Sequence, residues 1–140
     1  MMNTLPTTPA EFNAFQQGSL PGFLGVEIDR IDATGVHARL AIEPHHHAPN
    51  GYLHAATVVM LADTCCGYGC IARLPEGAKG FTTIELKSNH LGTATSGVIT
   101  CLATPAHLGR NTQVWDATVS GPDGKVIALF RCTQMVLWPR

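Results

Sequence analysis

Asp63 lies in the middle of a stretch, residues 53–74, in which it and Arg73 are the only side chains ionised at neutral pH. An acid among so many apolar neighbours loses hydration, and this costs free energy unless the carboxylate is paired or has chemical work to do. Two readings follow: a base or nucleophile, or a structural acid bonded to a nearby hydroxyl or backbone group. Just upstream, Asn50-Gly51-Tyr52-Leu53-His54-Ala55-Ala56 runs from a glycine-containing loop into a helix. The first N–H groups of a helix lack internal partners and carry the positive end of its dipole. They can polarise a carbonyl oxygen where the local side chains are small, as Ala55 and Ala56 are. His54 reads either as an ordinary polar residue at a helix start or as a participant in that chemistry. His54 and Asp63 are nine positions apart, two and a half helical turns, so they point to nearly opposite sides of one helix. They cannot form a dyad within one chain. If both serve one site, one of them comes from a second copy.

Other candidates are weaker. Arg110, in Gly109-Arg110-Asn111, has a guanidinium that matches a phosphate bidentately, or is a solvated turn residue. His45-His46-His47 invites a metal, but adjacent loop histidines seldom face one ion and no Cys/His or carboxylate spacing completes a site, so no metal is expected. Trp115, Trp138 and Phe130 read as packing residues ahead of a second reading as walls of a ligand pocket. The five cysteines include no Cys-x-x-Cys pair, and they read as reduced, small apolar residues of a cytoplasmic protein.

The elements that must hold these groups follow from periodicity. Thr8-Pro9-Ala10-Glu11 has the cap, the first-position proline and the acid of a helix start. Phe12 and Phe15 give that short helix an apolar face, and Gly18 and Pro21 are expected to end it. Across residues 26–42 the period is two, with Asp32-Ala33-Thr34-Gly35 as the turn of a hairpin. Residues 53–74 are apolar around nearly the whole helical wheel, which suits a helix buried in the middle of something, about 30 Å long. Gly67 and Gly69 would let a neighbouring backbone approach it. Strands are expected at 81–89, 97–104, 112–120 and 125–137, the last two joined by a turn at Gly121-Pro122-Asp123-Gly124. The class is α+β: one domain over residues 1–140, with an antiparallel sheet curled round a single long helix.

Composition narrows the function. A formal net charge of −1 argues against a broad electrostatic grip on nucleic acid. Only 14% of residues are charged while 45% are hydrophobic, which suits a surface partly buried against another copy. Residues 1–18 carry neither the basic nor the apolar region of a secretory leader, and no run reaches the ~18 consecutive apolar residues of a spanning helix.

The ordered set Gly51-x-x-His54-small-small, Ala62-Asp63-Thr64 and Thr82-Thr83-Ile84-Glu85-Leu86 resembles the phenylacetate-degradation-type (PaaI-like) acyl-CoA thioesterases of the hot-dog fold. Leu108-Gly109-Arg110, Trp115, Asp123-Gly124-Lys125 and the last strand extend the likeness over roughly residues 20–138. The resemblance implies a cytosolic hydrolase of acyl-CoA thioesters that uses no metal or other cofactor. It implies Asp63 as nucleophile or general base, the Ala55 N–H as the donor to the thioester carbonyl, His54 as a positioning group, and a Thr83 hydroxyl that orients water or the acid. Acid and hydroxyl would come from one subunit and the helix start from its partner. A homodimer is then the minimal active unit, and a homotetramer is the expected assembly, a choice between dimer and tetramer that the sequence leaves open. Two features depart from the family pattern: His54-Ala55-Ala56 stands where His-Gly-Gly is usual, and Ala48 stands where an amide side chain is frequent. A hot-dog hydratase or dehydratase and a non-catalytic acyl-CoA binder are the alternative functions.

Overall fold

The computed structural model describes residues 4–140, so Met1 to Asn3 of the leader reading lie outside the described residues. Thr8 caps α1 (Pro9–Phe15), its hydroxyl accepting the Glu11 N–H at 3.2 Å. The Glu11 carboxylate receives the Thr7 N–H rather than that of the cap, one residue earlier than a capping box requires. Phe12 is fully buried, whereas Phe15 stays exposed. Pro21 does not end this helix but opens a second one, α2 (Leu20–Leu24). A proline in a first turn gives up an N–H that has no partner there anyway. Gly25, at φ +93°, terminates α2.

The expected hairpin forms from β1 (Glu27–Ile31) and β2 (Val36–Ala41), and the Asp32 carboxylate accepts the Thr34 and Gly35 N–H groups in its turn. A 3₁₀ turn (Pro44–His46) leads towards α3 (Ala55–Ala72). Four strands follow: β3 (Gly80–His90), β4 (Val98–Leu108), β5 (Thr112–Ser120) and β6 (Val126–Leu137). All pair antiparallel in the order β1-β2-β4-β5-β6-β3, one sheet curled round α3, which packs against β2 to β6. By length and mean hydropathy α3 would pass for a membrane span. Here the sheet supplies its apolar surroundings. All five cysteines are free and buried in that core, and burial pushes the Cys70 thiol up to about 12.

The glycines of α3 meet rings, not a neighbouring backbone. A Cβ on Gly67 would lie 2.8 Å from Phe81 Cζ, and one on Gly69 would lie 2.5 Å from Trp115 Cζ3. Trp115 is fully buried and fills the gap between α3 and the middle of the sheet.

The two edges of the sheet differ. Along β1, the Asn13 amide of α1 accepts the Ile28 N–H at 2.8 Å and donates to the Ile28 carbonyl at 3.0 Å, substituting for a strand. Along β3, eleven residues long, nothing among the described residues pairs with the outer side, and Ile84 and Leu86 are exposed. A bulge between Thr83 and Glu85 shifts the phase of β3. As a result Phe81 and Thr83 before it, and Leu86, Ser88 and His90 after it, stand opposite buried residues of β6.

Candidate functional site

Asp63 sits midway along α3, partly buried. Its Oδ1 is shielded from solvent and accepts no hydrogen bond from the described residues. Burial pushes its carboxyl pKa above the ordinary aspartate value. A structural acid would spend this oxygen on a hydroxyl or an N–H. Here it is left over, at a cost in free energy that an apolar residue would avoid.

At the start of the same helix His54 is the cap residue, in an extended conformation, and its Nδ1 accepts the Ala56 N–H at 2.9 Å. A ring nitrogen that accepts carries no proton, so in the neutral ring the proton is on Nε2, which remains free to donate. The Thr57 N–H bonds back to the His54 carbonyl at 3.0 Å. One position ahead of these two engaged amides, the Ala55 N–H has no acceptor among the described residues, and Ala55 and Ala56 are both exposed. The first turn of α3 therefore presents one unspent backbone donor beside one imidazole N–H. Two bonds fix the chain where it enters the helix: Leu53 N–H to the Ala94 carbonyl and His54 N–H to the His46 carbonyl.

Two clefts flank this helix start. One, of about 300 Å³, is lined by Tyr52, Leu53, Ala55, Val58, His90 and Thr93. The other, of about 290 Å³, lies between α2 and α3 and is lined by Leu20, Leu24, His47, His54, Ala56 and Met60. Asp63 lines neither. Within one chain the acid and the helix start are set apart along α3 and around it, as their spacing requires.

Thr83 lies on the inward face of β3 and donates its hydroxyl proton to Gln134 Oε1 at 2.7 Å. With the proton committed, its oxygen can accept from a water but does not donate to Asp63. Arg110 is exposed, and its guanidinium lies 4.1 Å above the Trp138 ring. The indole N–H of Trp138 donates to the Arg110 carbonyl at 3.2 Å, so the loop is tied and the cation is held by a ring face rather than a carboxylate. The three adjacent histidines do not converge on one point: His46 Nε2 reaches the Leu24 carbonyl and His47 Nε2 the Thr95 carbonyl, while the His45 ring packs edge-on against His46 at 4.3 Å. No group of three His, Cys, Asp or Glu side chains that could hold a metal ion occurs among the described residues.

Two residues of β3 escape a reading from sequence: His90, which lines the first cleft, and Ser88. His90 and Ser88 share the inward face of β3 only because the bulge resets its phase. The Ser88 hydroxyl is buried without a partner among the described residues. An unbroken alternation from Phe81 and Thr83 would put Glu85, Lys87 and Asn89 inward, so the pattern Leu86, Ser88, His90 becomes readable only with the bulge.

The family profile of the thioesterase superfamily matches residues 50–128, a segment that contains His54, Ala55, Asp63, Thr83 and Arg110. The chain is 33% identical to the esterase PA1618 of Pseudomonas aeruginosa, over 91% of this chain and 88% of that protein. It is 30% identical to a 1,4-dihydroxy-2-naphthoyl-CoA hydrolase of Listeria monocytogenes, over 79% of this chain and 89% of that one. A crystal structure of a variant of the thioesterase PA1618 superposes with a TM-score of 0.89 at 31% identity, covering 96% of each chain.

Proposed function

The chain belongs to the thioesterase superfamily of thioester hydrolases, with the hot-dog architecture of its relatives, and from that premise we propose that it hydrolyses an acyl-CoA to a free acid and CoA in a site shared by two copies. The observation that carries this reading is the pair of unspent groups on opposite sides of α3: the Ala55 N–H and the unpartnered oxygen of Asp63. Two copies joined along their open β3 edges bring the acid of one towards the helix start of the other. The Ala55 N–H and the His54 Nε2–H then face the thioester oxygen, which gains negative charge as the carbonyl is attacked. Asp63 either removes a proton from the attacking water or attacks the carbonyl itself, the resulting anhydride being hydrolysed afterwards. In both versions the C–S bond breaks and CoA leaves as a thiolate that takes up a proton. The Thr83 oxygen holds the water. Arg110, on its tryptophan platform, pairs with a CoA phosphate.

The methyl groups of Ala55 and Ala56, in place of the glycines usual in PaaI-like enzymes, narrow the approach to the donor. Ala48 supplies no amide to hold the acyl group. The naming of one relative for a naphthoyl-CoA puts aromatic acyl-CoAs first among candidate substrates. The enzyme is cytoplasmic, needs no cofactor beyond the CoA carried by its substrate, and works as a homodimer within a homotetramer.

A thiol-release assay over aromatic, short-chain and medium-chain acyl-CoAs tests the activity, and Asp63→Ala tests the site. The variant is expected to keep its circular dichroism while losing at least about a hundredfold in rate, the usual size of a general-base contribution. Wild-type turnover in Asp63→Ala refutes the assigned role. Hydration of an enoyl-CoA without CoA release identifies a hydratase instead, and tight binding without turnover identifies a binder.

A further inference from the structure

The run His45-His46-His47 takes no part in the chemistry described so far, yet its central member is among the most enclosed polar residues of the molecule. His46 is 1% exposed. Its Nδ1 accepts the Glu43 N–H at 2.9 Å, and its Nε2 lies 2.7 Å from the Leu24 carbonyl. A carbonyl oxygen only accepts and an amide N–H only donates, so the two bonds together require a neutral ring protonated on Nε2. Burial lowers the pKa of the ring and keeps it in that neutral form. The backbone of the same residue faces the other way. Its carbonyl accepts both the His54 N–H at 3.0 Å and the Thr57 hydroxyl at 2.9 Å. His46 thus bonds to the last residue of α2, to the residue before the 3₁₀ turn, to the cap of α3 and to the first turn of α3.

We propose that His46 is a positioning residue for thioester polarisation: its imidazole anchors the loop to α2, and through its carbonyl sets the direction in which α3 presents the Ala55 N–H and the His54 Nε2–H. The proposal rests on the reading of Ala55 as the carbonyl donor. Its geometry follows from bond economy. A helix start is free to tilt unless its cap is held from outside, and two of the bonds that hold this one converge on a single carbonyl. That carbonyl stays in place because the ring of the same residue is bonded at both nitrogens inside the core. Asparagine supplies the Nδ1-like acceptor but cannot reach Leu24. Glutamine reaches Leu24 as a donor but lacks the acceptor for Glu43.

The test is steady-state hydrolysis of benzoyl-CoA and of the best substrate of the panel by His46→Asn, His46→Gln and Thr57→Val, with thermal melting of each. A misplacement approaching 1 Å at a reacting centre costs up to about a hundredfold, so kcat of the two His46 variants is expected to fall about ten- to a hundredfold. KM is expected to stay within about threefold, because remote contacts to CoA are untouched. Thr57→Val removes one bond to the same carbonyl while preserving side-chain shape, and about a fivefold loss of kcat is expected, the equivalent of one ordinary hydrogen bond. A kcat within twofold of wild type in a folded His46 variant overturns the proposal. If neither His46 variant folds, an unchanged kcat in Thr57→Val overturns it. If the wild-type protein releases CoA from no thioester, the proposed activity fails while the positioning is still measurable. In ¹⁵N-resolved spectra the Ala55 and Ala56 amide resonances are then expected to move in Thr57→Val, and unmoved resonances overturn the proposal.

Discussion

Substitution of Gly69 by alanine adds one methyl group where α3 meets the Trp115 ring of the sheet. The new Cβ would stand 2.5 Å from Trp115 Cζ3 and 2.6 Å from Cη2, against a favourable carbon–carbon separation of about 3.5–4.0 Å. About 1 Å must be found. The ring cannot supply it, since Trp115 is fully buried and its Nε1 donates to Gln113 Oε1 at 2.8 Å. Gln113 in turn donates to the carbonyl of Arg73, at the C-terminal cap of α3 itself, at 2.9 Å. Ring, amide and helix end form a closed loop, so the helix has to lift. Overpacking of this kind costs about 1–3 kcal/mol, here towards the upper end, while alanine in place of glycine returns about 1 kcal/mol of helix propensity. The net loss is about 2 kcal/mol, or roughly 8 °C in Tm for a chain of this size. Gly67→Ala is the internal control. Its Cβ would meet the far end of the Phe81 ring at 2.8 Å, and Phe81 is only half-buried near the start of an edge strand. The ring can swing, the propensity gain offsets the contact, and Tm is expected to change by less than about 3 °C. Differential scanning calorimetry of both variants, with CoA release measured on each, decides the matter. A Gly69→Ala protein as stable as wild type would refute the claim that the Trp115 loop sets the depth of the helix that carries Asp63 and Ala55.

Asp63→Asn is expected to lower kcat by at least about a hundredfold, read by thiol release. The ionised form of Asp63 is the active one and burial raises its pKa, so the acid limb of the wild-type pH–rate profile is expected above the ordinary aspartate value and should vanish with the variant. The same shift has a stability sign: the folded chain holds this proton more tightly than the unfolded one, so ionisation costs stability as pH rises from the unfolded towards the folded pKa. The melting temperature of Asp63→Asn relative to wild type should therefore rise as pH increases above about 4, the ordinary aspartate value, in a paired pH series. Arg110→Ala is expected to raise KM for acyl-CoA about tenfold with kcat within twofold, as loss of a charged hydrogen bond to a phosphate predicts, and an unchanged KM assigns the cation to the solvated turn. Ile84→Lys, which places a charge on the open β3 edge, is expected to shift the protein to monomers in sedimentation velocity and to abolish turnover with the fold intact.

Local chemistry made much of this molecule readable in one dimension. The alternation of Val36, Ala38 and Leu40, the turn at Gly121-Pro122-Asp123-Gly124, and a helix apolar on nearly all sides each depend on neighbours a few residues away, and each appears in the fold close to where it was expected. The opposition of His54 and Asp63 follows from helical pitch alone. So does the availability of an unpaired N–H at the start of α3. Tertiary structure decided what pairs with those groups. Thr83 gives its proton to Gln134, 51 residues on, His46 meets a carbonyl 22 residues back, and Gly67 and Gly69 receive rings from β3 and β5 rather than a backbone. The opening of α2 by Pro21 and the bulge after Thr83 were hidden for a related reason, since a short helix and a phase slip leave little periodicity to read. Distant partners are chosen by the order of the strands and the depth of the helix between them, and these depend on the packing of the whole chain rather than on the residues near any one position.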